Sequence, residues 1–187
     1  MYAIPAQPPF STPILTAFTS FSDWLIKYSS LFTASGVADI IFVLVETPHF
    51  DKTLDGSVPI ELHTVDDYDY TALSSVLLTL ANYSYQGIVV VSSTVSPGTT
   101  QKLATKYSDL KVVYMPVMIH IGSVAENFVS APVYYIGGNK EFTIQVQACI
   151  EKFVTGNILH GTYEEAEMYK MFGNMFSLSL IHISEPT

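Results

Sequence analysis

The chain has 187 residues, of which 17 are acidic and 8 basic, so its formal net charge is −9. Charged residues make up 13% of it, about half of the ~25% usual in globular proteins, and 49% are hydrophobic. This composition excludes a disordered chain, and the negative charge argues against nucleic acid or an anionic membrane as a partner. The longest apolar run, Ile40–Val45, has six residues, whereas a membrane span needs about 20.

The cysteine and histidine content excludes several kinds of site. Cys149 is the single cysteine, so the chain has neither an internal disulfide nor a cysteine-based zinc site. His49, His63 and His160 are scattered and suggest no metal site. The first ten residues show no secretory signal, so we expect a cytoplasmic protein.

Short β-branched segments alternate with amphipathic segments along the chain. The former predict strands at 39–45, 87–93, 111–114, 133–136 and 158–160. Apolar residues at helical spacing predict helices at 70–83, 99–107, 139–154 and 164–176. The glycine pair at 137–138 is expected to end the fourth strand in a turn. This alternation predicts an α/β fold, a doubly wound parallel sheet covered on both faces.

Ligands of such sheets bind at the carboxyl ends of the strands, which places 46–48, 93–95 and 115–116 at the expected site. Hydroxyl groups at Ser93, Thr94 and Thr99 suit either a ligand or the cap of the helix that follows, and the two roles are compatible. The glycine-rich turn Gly-x-Gly-x-x-Gly, which cradles a dinucleotide pyrophosphate, is absent from the sequence. Segment 48–69 is rich in aspartate, and we interpret it as a solvated acidic loop because its spacing does not match a calcium loop.

Four motifs carry a resemblance to a known family. In chain order they are Ala38–Pro48, Ser93–Thr100, Gly122–Gly138 and Ala166–Phe176. The most specific is the second, which reads Ser-Thr-Val-Ser-Pro-Gly-Thr-Thr. Their order and spacing over residues 38–176 resemble the UDP-glucose/GDP-mannose dehydrogenase family.

The resemblance implies an NAD-dependent nucleotide-sugar 6-dehydrogenase. Members of this family oxidise the C6 hydroxyl of a nucleotide sugar to a carboxylate with two NAD, through an aldehyde and a thioester on a cysteine, and supply uronic acids for polysaccharides. Their fold is an NAD-binding domain, a long central helix that helps to form a homodimer, and a sugar-nucleotide domain. On this basis we expect a poorly matched segment at 1–37, part of a Rossmann-like NAD-binding domain at 38–160 and the start of the central helix at 161–177.

The resemblance also implies roles for individual residues. The side chains expected on the adenosine side of the cofactor are Val45, Thr47 and Pro48. Ser93 and Thr94 are expected near the nicotinamide ribose, with Thr94 also near the water that hydrolyses the thioester. Lys170 and Asn174 are expected to face the reacting sugar and polarise its oxygen.

Helical spacing supports the last pair independently. Lys170 and Asn174 are four residues apart, so they share a helix face, and an ammonium beside an amide stabilises a developing oxyanion. The alternative is an exposed pair between Lys170 and Glu167, three residues earlier.

The sequence departs from the family in several places. Val117 and Ile121 stand where the family has two glutamates that activate water, which places the hydrolysis step in doubt because apolar side chains accept no proton. His120 is a candidate substitute, although a lone histidine there is more often structural. We interpret Cys149 as a small core residue, and we find neither the family's catalytic cysteine nor its glycine-rich turn.

The last ten residues, 178–187, resemble a translated sequencing adapter rather than evolved protein; the alternative is that they continue the last helix. We therefore expect an interior fragment of a nucleotide-sugar dehydrogenase that is inactive in isolation. A divergent non-enzymatic binding or assembly module of the same fold is the competing hypothesis. An unrelated doubly wound domain is a third.

Overall fold

The computed structural model describes the backbone at 15–19, 38–48, 68–118 and 124–184, and side chains within 38–48, 68–118 and 127–176. Most of the N-terminal segment, most of the acidic loop, His120 and Ile121 lie outside these residues. The helices and strands, in chain order, are β1 (Leu15–Thr19), β2 (Ile40–Val45), α1 (Thr71–Asn82), β3 (Ile88–Val91), α2 (Thr99–Lys106), β4 (Lys111–Tyr114), α3 (Val124–Val129), β5 (Val133–Gly138), α4 (Lys140–Ile150), β6 (Asn157–Gly161) and α5 (Tyr163–Ser184).

The strands form one six-stranded sheet in the order β1-β2-β3-β4-β5-β6. β1 to β4 are parallel, with Ile41 opposite Val89 and Val89 opposite Val112. The order follows the chain in one direction, as strands 1-4-5-6 do in the usual dinucleotide-binding order 3-2-1-4-5-6. The predicted α/β, Rossmann-like fold is confirmed.

The sheet differs from the prediction at β5, which runs antiparallel to β4; β6 is parallel to β5. A parallel β5 would need a connection that returns the chain to the amino end of β4. Among the described residues between the two strands, the one helix is the six-residue α3, and β5 runs back so that its last two residues pair with the carboxyl end of β4.

β2 and β3 are buried on both faces, as their continuous apolar runs predict. One face packs against α1, α2 and the start of α5, through residues that include Leu73, Leu77, Leu103 and Ala166. The other packs against α4, through Val146 and Ile150. Helices therefore cover both faces of the sheet, which places the strand ends, rather than the faces, within reach of a ligand.

Gly137 and Gly138 were predicted to form a turn, and this prediction is wrong, because both lie within β5 opposite Tyr114 and Val113. A Cβ atom on Gly137 would lie 2.5 Å from the Thr162 carbonyl oxygen and 2.8 Å from the Ala166 Cβ. Glycine at this position lets the start of α5 approach the sheet closely.

The long helix α5 begins with a reciprocal capping box. The Thr162 N–H donates to Glu165 Oε2 (2.8 Å), and the Glu165 N–H donates to Thr162 Oγ1 (3.2 Å). The helix has 22 residues and continues to Ser184, beyond the predicted end at 176 and through the first seven of the ten final residues. Among the described residues, no helix combines the length and the apolar character needed to cross a membrane.

Candidate functional site

A hydroxyl group joins the carboxyl ends of β2 and β3. The Ser93 hydroxyl accepts a hydrogen bond from the Val45 N–H (2.8 Å) and donates one to the Val45 carbonyl (2.9 Å). Both residues are buried. Ser93 thus continues the pairing of the two strands two residues beyond the end of β3, and its hydroxyl is committed to the backbone.

Thr47 and Thr94 meet immediately beyond this bond. The Thr47 Oγ1 donates to the Thr94 carbonyl at 2.7 Å, and both side chains are half-buried. The carbonyl of the exposed Pro48 accepts the Asp69 N–H at 2.7 Å. The structure therefore brings all five predicted cofactor-binding residues to one edge of the sheet.

Two tyrosines hold the turn that follows β3. The Tyr114 hydroxyl donates to the Ser93 carbonyl (3.2 Å), and the Tyr70 hydroxyl accepts the Ser96 N–H (3.0 Å). Burial, more than the nearby Glu167, raises the pKa of Tyr114, so its hydroxyl remains a donor across the physiological range. Gly98 ends the turn with φ 85°, in the left-handed region that favours glycine.

A carboxylate from α5 closes the amino end of α2. Glu167 is fully buried, and its two oxygens accept the N–H groups of Gly98 (2.5 Å) and Thr100 (2.7 Å). Burial raises the pKa of Glu167, although these hydrogen bonds act in the opposite direction.

This arrangement contradicts two of the predictions made from the sequence. The predicted hydroxyl cap of α2 is wrong: the N-cap residue is Gly98, no side chain of its own segment caps it, and the remote Glu167 supplies the acceptors. The exposed pair of Glu167 with Lys170 is also wrong, because Glu167 is buried against α2. The contact joins residues 67 to 69 apart, so helical spacing gave no signal of it.

Lys170 lies one turn further along α5, at the same edge of the sheet. Its Nζ donates to the Val117 carbonyl at 2.8 Å, and burial lowers the pKa of this half-buried ammonium. Asn174, one turn on, is exposed. The partner of Lys170 at Val117 is therefore a backbone oxygen and not a side chain.

Cys149 and His160 lie elsewhere. Cys149 is half-buried on α4, and burial raises the pKa of its thiol, the opposite of what a nucleophilic cysteine needs. The ring of His160 contacts the Thr143 hydroxyl (2.9 Å) and the Gln147 amide oxygen (2.6 Å). Within the described ranges, no group of three or more histidine, cysteine or acidic residues is placed to hold a metal ion.

Comparisons with known proteins connect this geometry to a family. Residues 22–154, more than half of the chain, match the model of the UDP-glucose/GDP-mannose dehydrogenase family, NAD binding domain. The UDP-N-acetyl-D-mannosamine dehydrogenase of Methanocaldococcus jannaschii is 27% identical over 143 residues, which are 74% of this chain and 31% of that protein.

Solved structures of nucleotide-sugar dehydrogenases are similar to this chain in fold. The GDP-mannose dehydrogenase of Pseudomonas aeruginosa has a TM-score of 0.66 at 21% identity, covering 82% of this chain and 35% of that chain. The UDP-glucose dehydrogenase of Pyrobaculum islandicum has a TM-score of 0.63 at 25% identity, covering 78% of this chain and 33% of that chain. The chain thus spans about a third of the length of these relatives.

The adjacent serines at the end of β3 give a matched test of the bond to Val45. Ser93→Ala leaves a buried N–H and a buried carbonyl unpaired, so we expect the free energy of unfolding to fall by about 1–3 kcal/mol. Ser92 is equally buried, but its hydroxyl has no hydrogen-bond partner within the part of the chain that the structure describes, so Ser92→Ala should leave stability unchanged or slightly raised. Urea unfolding followed by circular dichroism measures both. Equal losses in the two variants would contradict the assignment.

Proposed function

The chain belongs to the UDP-glucose/GDP-mannose dehydrogenase family, and from that premise we propose that it forms part of an NAD-dependent nucleotide-sugar 6-dehydrogenase. One observation carries the proposal: the match to the family's NAD binding domain covers the two strands whose carboxyl ends bring Thr47, Ser93 and Thr94 together. Parallel sheets bind their ligands at that edge.

The residues at this edge fit one side of the cofactor. We assign Val45, Thr47 and Pro48 to the adenosine side and Ser93 and Thr94 to the nicotinamide ribose. Half-buried threonines suit the ribose, whose hydroxyls both donate and accept hydrogen bonds. At the amino end of α2, the N–H groups of Gly98 and Thr100 are not available to the phosphates, because Glu167 already accepts them.

The proposed reaction converts a primary alcohol to a carboxylate. Overall, R–CH₂OH, two NAD⁺ and water give R–COO⁻, two NADH and three protons. NAD⁺ accepts the hydride at each of the two oxidation steps. Lys170 uses one N–H on the Val117 carbonyl and retains others to polarise the sugar oxygen, and Asn174 supplies a neutral donor beside it. The lowered pKa of Lys170 favours release of a proton from its ammonium.

We propose UDP-glucose as the substrate to assay first, with the product a uronic acid for polysaccharide synthesis in the cytoplasm. The names of the relatives specify three different nucleotide sugars, UDP-N-acetyl-D-mannosamine, GDP-mannose and UDP-glucose. Each presents a nucleoside diphosphate and a hexose, which defines the substrate class.

A non-enzymatic binding or assembly module is the second candidate, and one observation favours it. At Val117 an apolar side chain stands where the family has a water-activating glutamate, so this position contributes no general base. Binding of NAD⁺ separates the two candidates.

NAD⁺ binding by the 187-residue chain tests the proposed cofactor site. We expect isothermal titration calorimetry to detect binding, and Thr94→Ala to weaken it about three- to tenfold, the effect of losing one hydrogen bond. The matched control is Thr105→Ala, an exposed threonine on α2, which should leave affinity unchanged. Absence of NAD⁺ binding by the unaltered chain would favour the non-enzymatic module.

The isolated chain should bind NAD⁺ without completing the reaction. Its sequence has one cysteine, on α4, and no Gly-x-Gly-x-x-Gly turn. We therefore expect no NADH absorbance to develop when the chain is incubated with NAD⁺ and UDP-glucose, UDP-N-acetylmannosamine or GDP-mannose. Sustained NADH formation with any of them would refute the proposal that the chain is an inactive fragment.

We further propose that a second copy of the chain packs on α5 to form a homodimer. Three apolar side chains on this helix are more than half exposed: Phe172, Met175 and Phe176. With Met118 and Tyr169 they line an open groove of about 580 Å³. Exposed apolar surface of this kind is typical of protein interfaces.

Light scattering coupled to size exclusion tests the dimer. Phe176→Glu places a charge in the groove, so we expect it to convert a dimeric chain to a monomer. Leu78→Glu, at an exposed apolar position on α1, is the matched control and should remain dimeric. A monomeric unaltered chain, or equal dissociation in both variants, would contradict the proposed interface.

A further inference from the structure

We propose that Glu167 is a positioning residue: its carboxylate ties α5, and with it Lys170, to the turn that carries Ser93 and Thr94. The catalytic part of this inference, that Glu167 positions Lys170 for the reaction, rests on the proposed function. Its structural content rests on two hydrogen bonds, from the N–H groups of Gly98 and Thr100 to the two oxygens of one side chain.

The location of Glu167 makes it a link between the two sides of the proposed site. On one side, Gly98 and Thr100 end the turn that begins at Ser93. On the other, Lys170 follows Glu167 by three residues, about 4.5 Å along the helix axis. Any sliding of α5 past α2 would therefore displace the Lys170 ammonium from the edge that holds Thr94.

Stability alone does not account for a carboxylate at this position. Acidic side chains are rarely fully buried, and the partners of Glu167 are neutral N–H groups at the positive end of a helix dipole. Because its folded pKa lies above the unfolded value, ionised Glu167 lowers stability at neutral pH, and stability rises as the pH falls through the folded pKa. A local serine or threonine cap would satisfy α2 without this loss, but it would not hold α5.

The direction in which the pKa of Lys170 changes when Glu167 is substituted distinguishes three possible roles of Glu167. Burial is what lowers its pKa. If Glu167 holds α5 in place, Glu167→Gln lets Lys170 become more solvated, and the Lys170 pKa rises. If Glu167 acts only through its charge, removing an anion lowers that pKa further. If Glu167 contributes only to stability, the pKa of Lys170 in the folded chain does not change.

The test is a pH titration of the lysine side chains by heteronuclear NMR in the 187-residue chain. We expect the Lys170 pKa to rise in Glu167→Gln. Glu164→Gln, an exposed substitution of the same kind on the same helix, should leave it unchanged. Glu167→Asp keeps the charge but is one methylene too short to reach both N–H groups, so it should also raise the Lys170 pKa. An unchanged or lowered pKa in Glu167→Gln, or an aspartate variant that behaves like the unaltered chain, would overturn the proposal.

A second measurement needs no substitution, so it tests the link between Glu167 and the amino end of α2 even where a variant does not fold. In the unaltered chain, the amide resonances of Gly98 and Thr100 should titrate together with the Glu167 carboxyl carbon, at a midpoint above the usual value for glutamate. Amides that do not follow Glu167 would overturn the proposal. Neither measurement uses NAD⁺, so failure of NAD⁺ binding would count against the proposed function and not against the link.

Discussion

The buried carboxylate of Glu167 is the constraint on which the candidate site depends. The amino end of a helix has N–H groups without intrahelical partners, and in α2 two of them point at a side chain from a remote helix. The turn after β3 and the helix α5 are therefore fixed relative to each other, although 67 residues separate them in sequence. The same contact occupies the end of α2 that would otherwise attract an anion.

Polar side chains at the strand ends form hydrogen bonds to the backbone. Ser93 uses its hydroxyl to extend the pairing of β2 and β3, and Thr47 donates to the Thr94 carbonyl. A ligand at this edge would meet a surface that is already ordered. Such pre-organisation reduces the ordering cost of binding. The hydroxyl groups at the strand ends therefore hold the backbone there in a fixed shape, besides any contact that they make with a ligand.

The sequence predicts most of the fold because its signals are local. The buried strands β2 and β3 and the helix α1 follow from apolar runs and helical spacing within each segment. The direction of β5 and the roles of Gly137 and Glu167 depend on which segments meet in space, and spacing along the chain does not contain that information. The Ser93–Thr100 motif lies at the edge of the sheet where we propose the site, whereas the hydroxyl cap inferred from it was wrong because the cap comes from α5. The assigned roles of Thr94, Lys170 and Asn174 remain predictions.

Backbone amide spectra of the ¹⁵N-labelled chain, recorded as NAD⁺ is added, test the central claim most directly: the cofactor binds at the carboxyl ends of β2 and β3. The account predicts that the resonances of Thr47, Ser93 and Thr94 shift with increasing NAD⁺. The resonances of Ile88 and Lys111, at the amino ends of β3 and β4, should not move. Shifts confined to the amino ends of the strands, or no shifts at saturating NAD⁺, would contradict it.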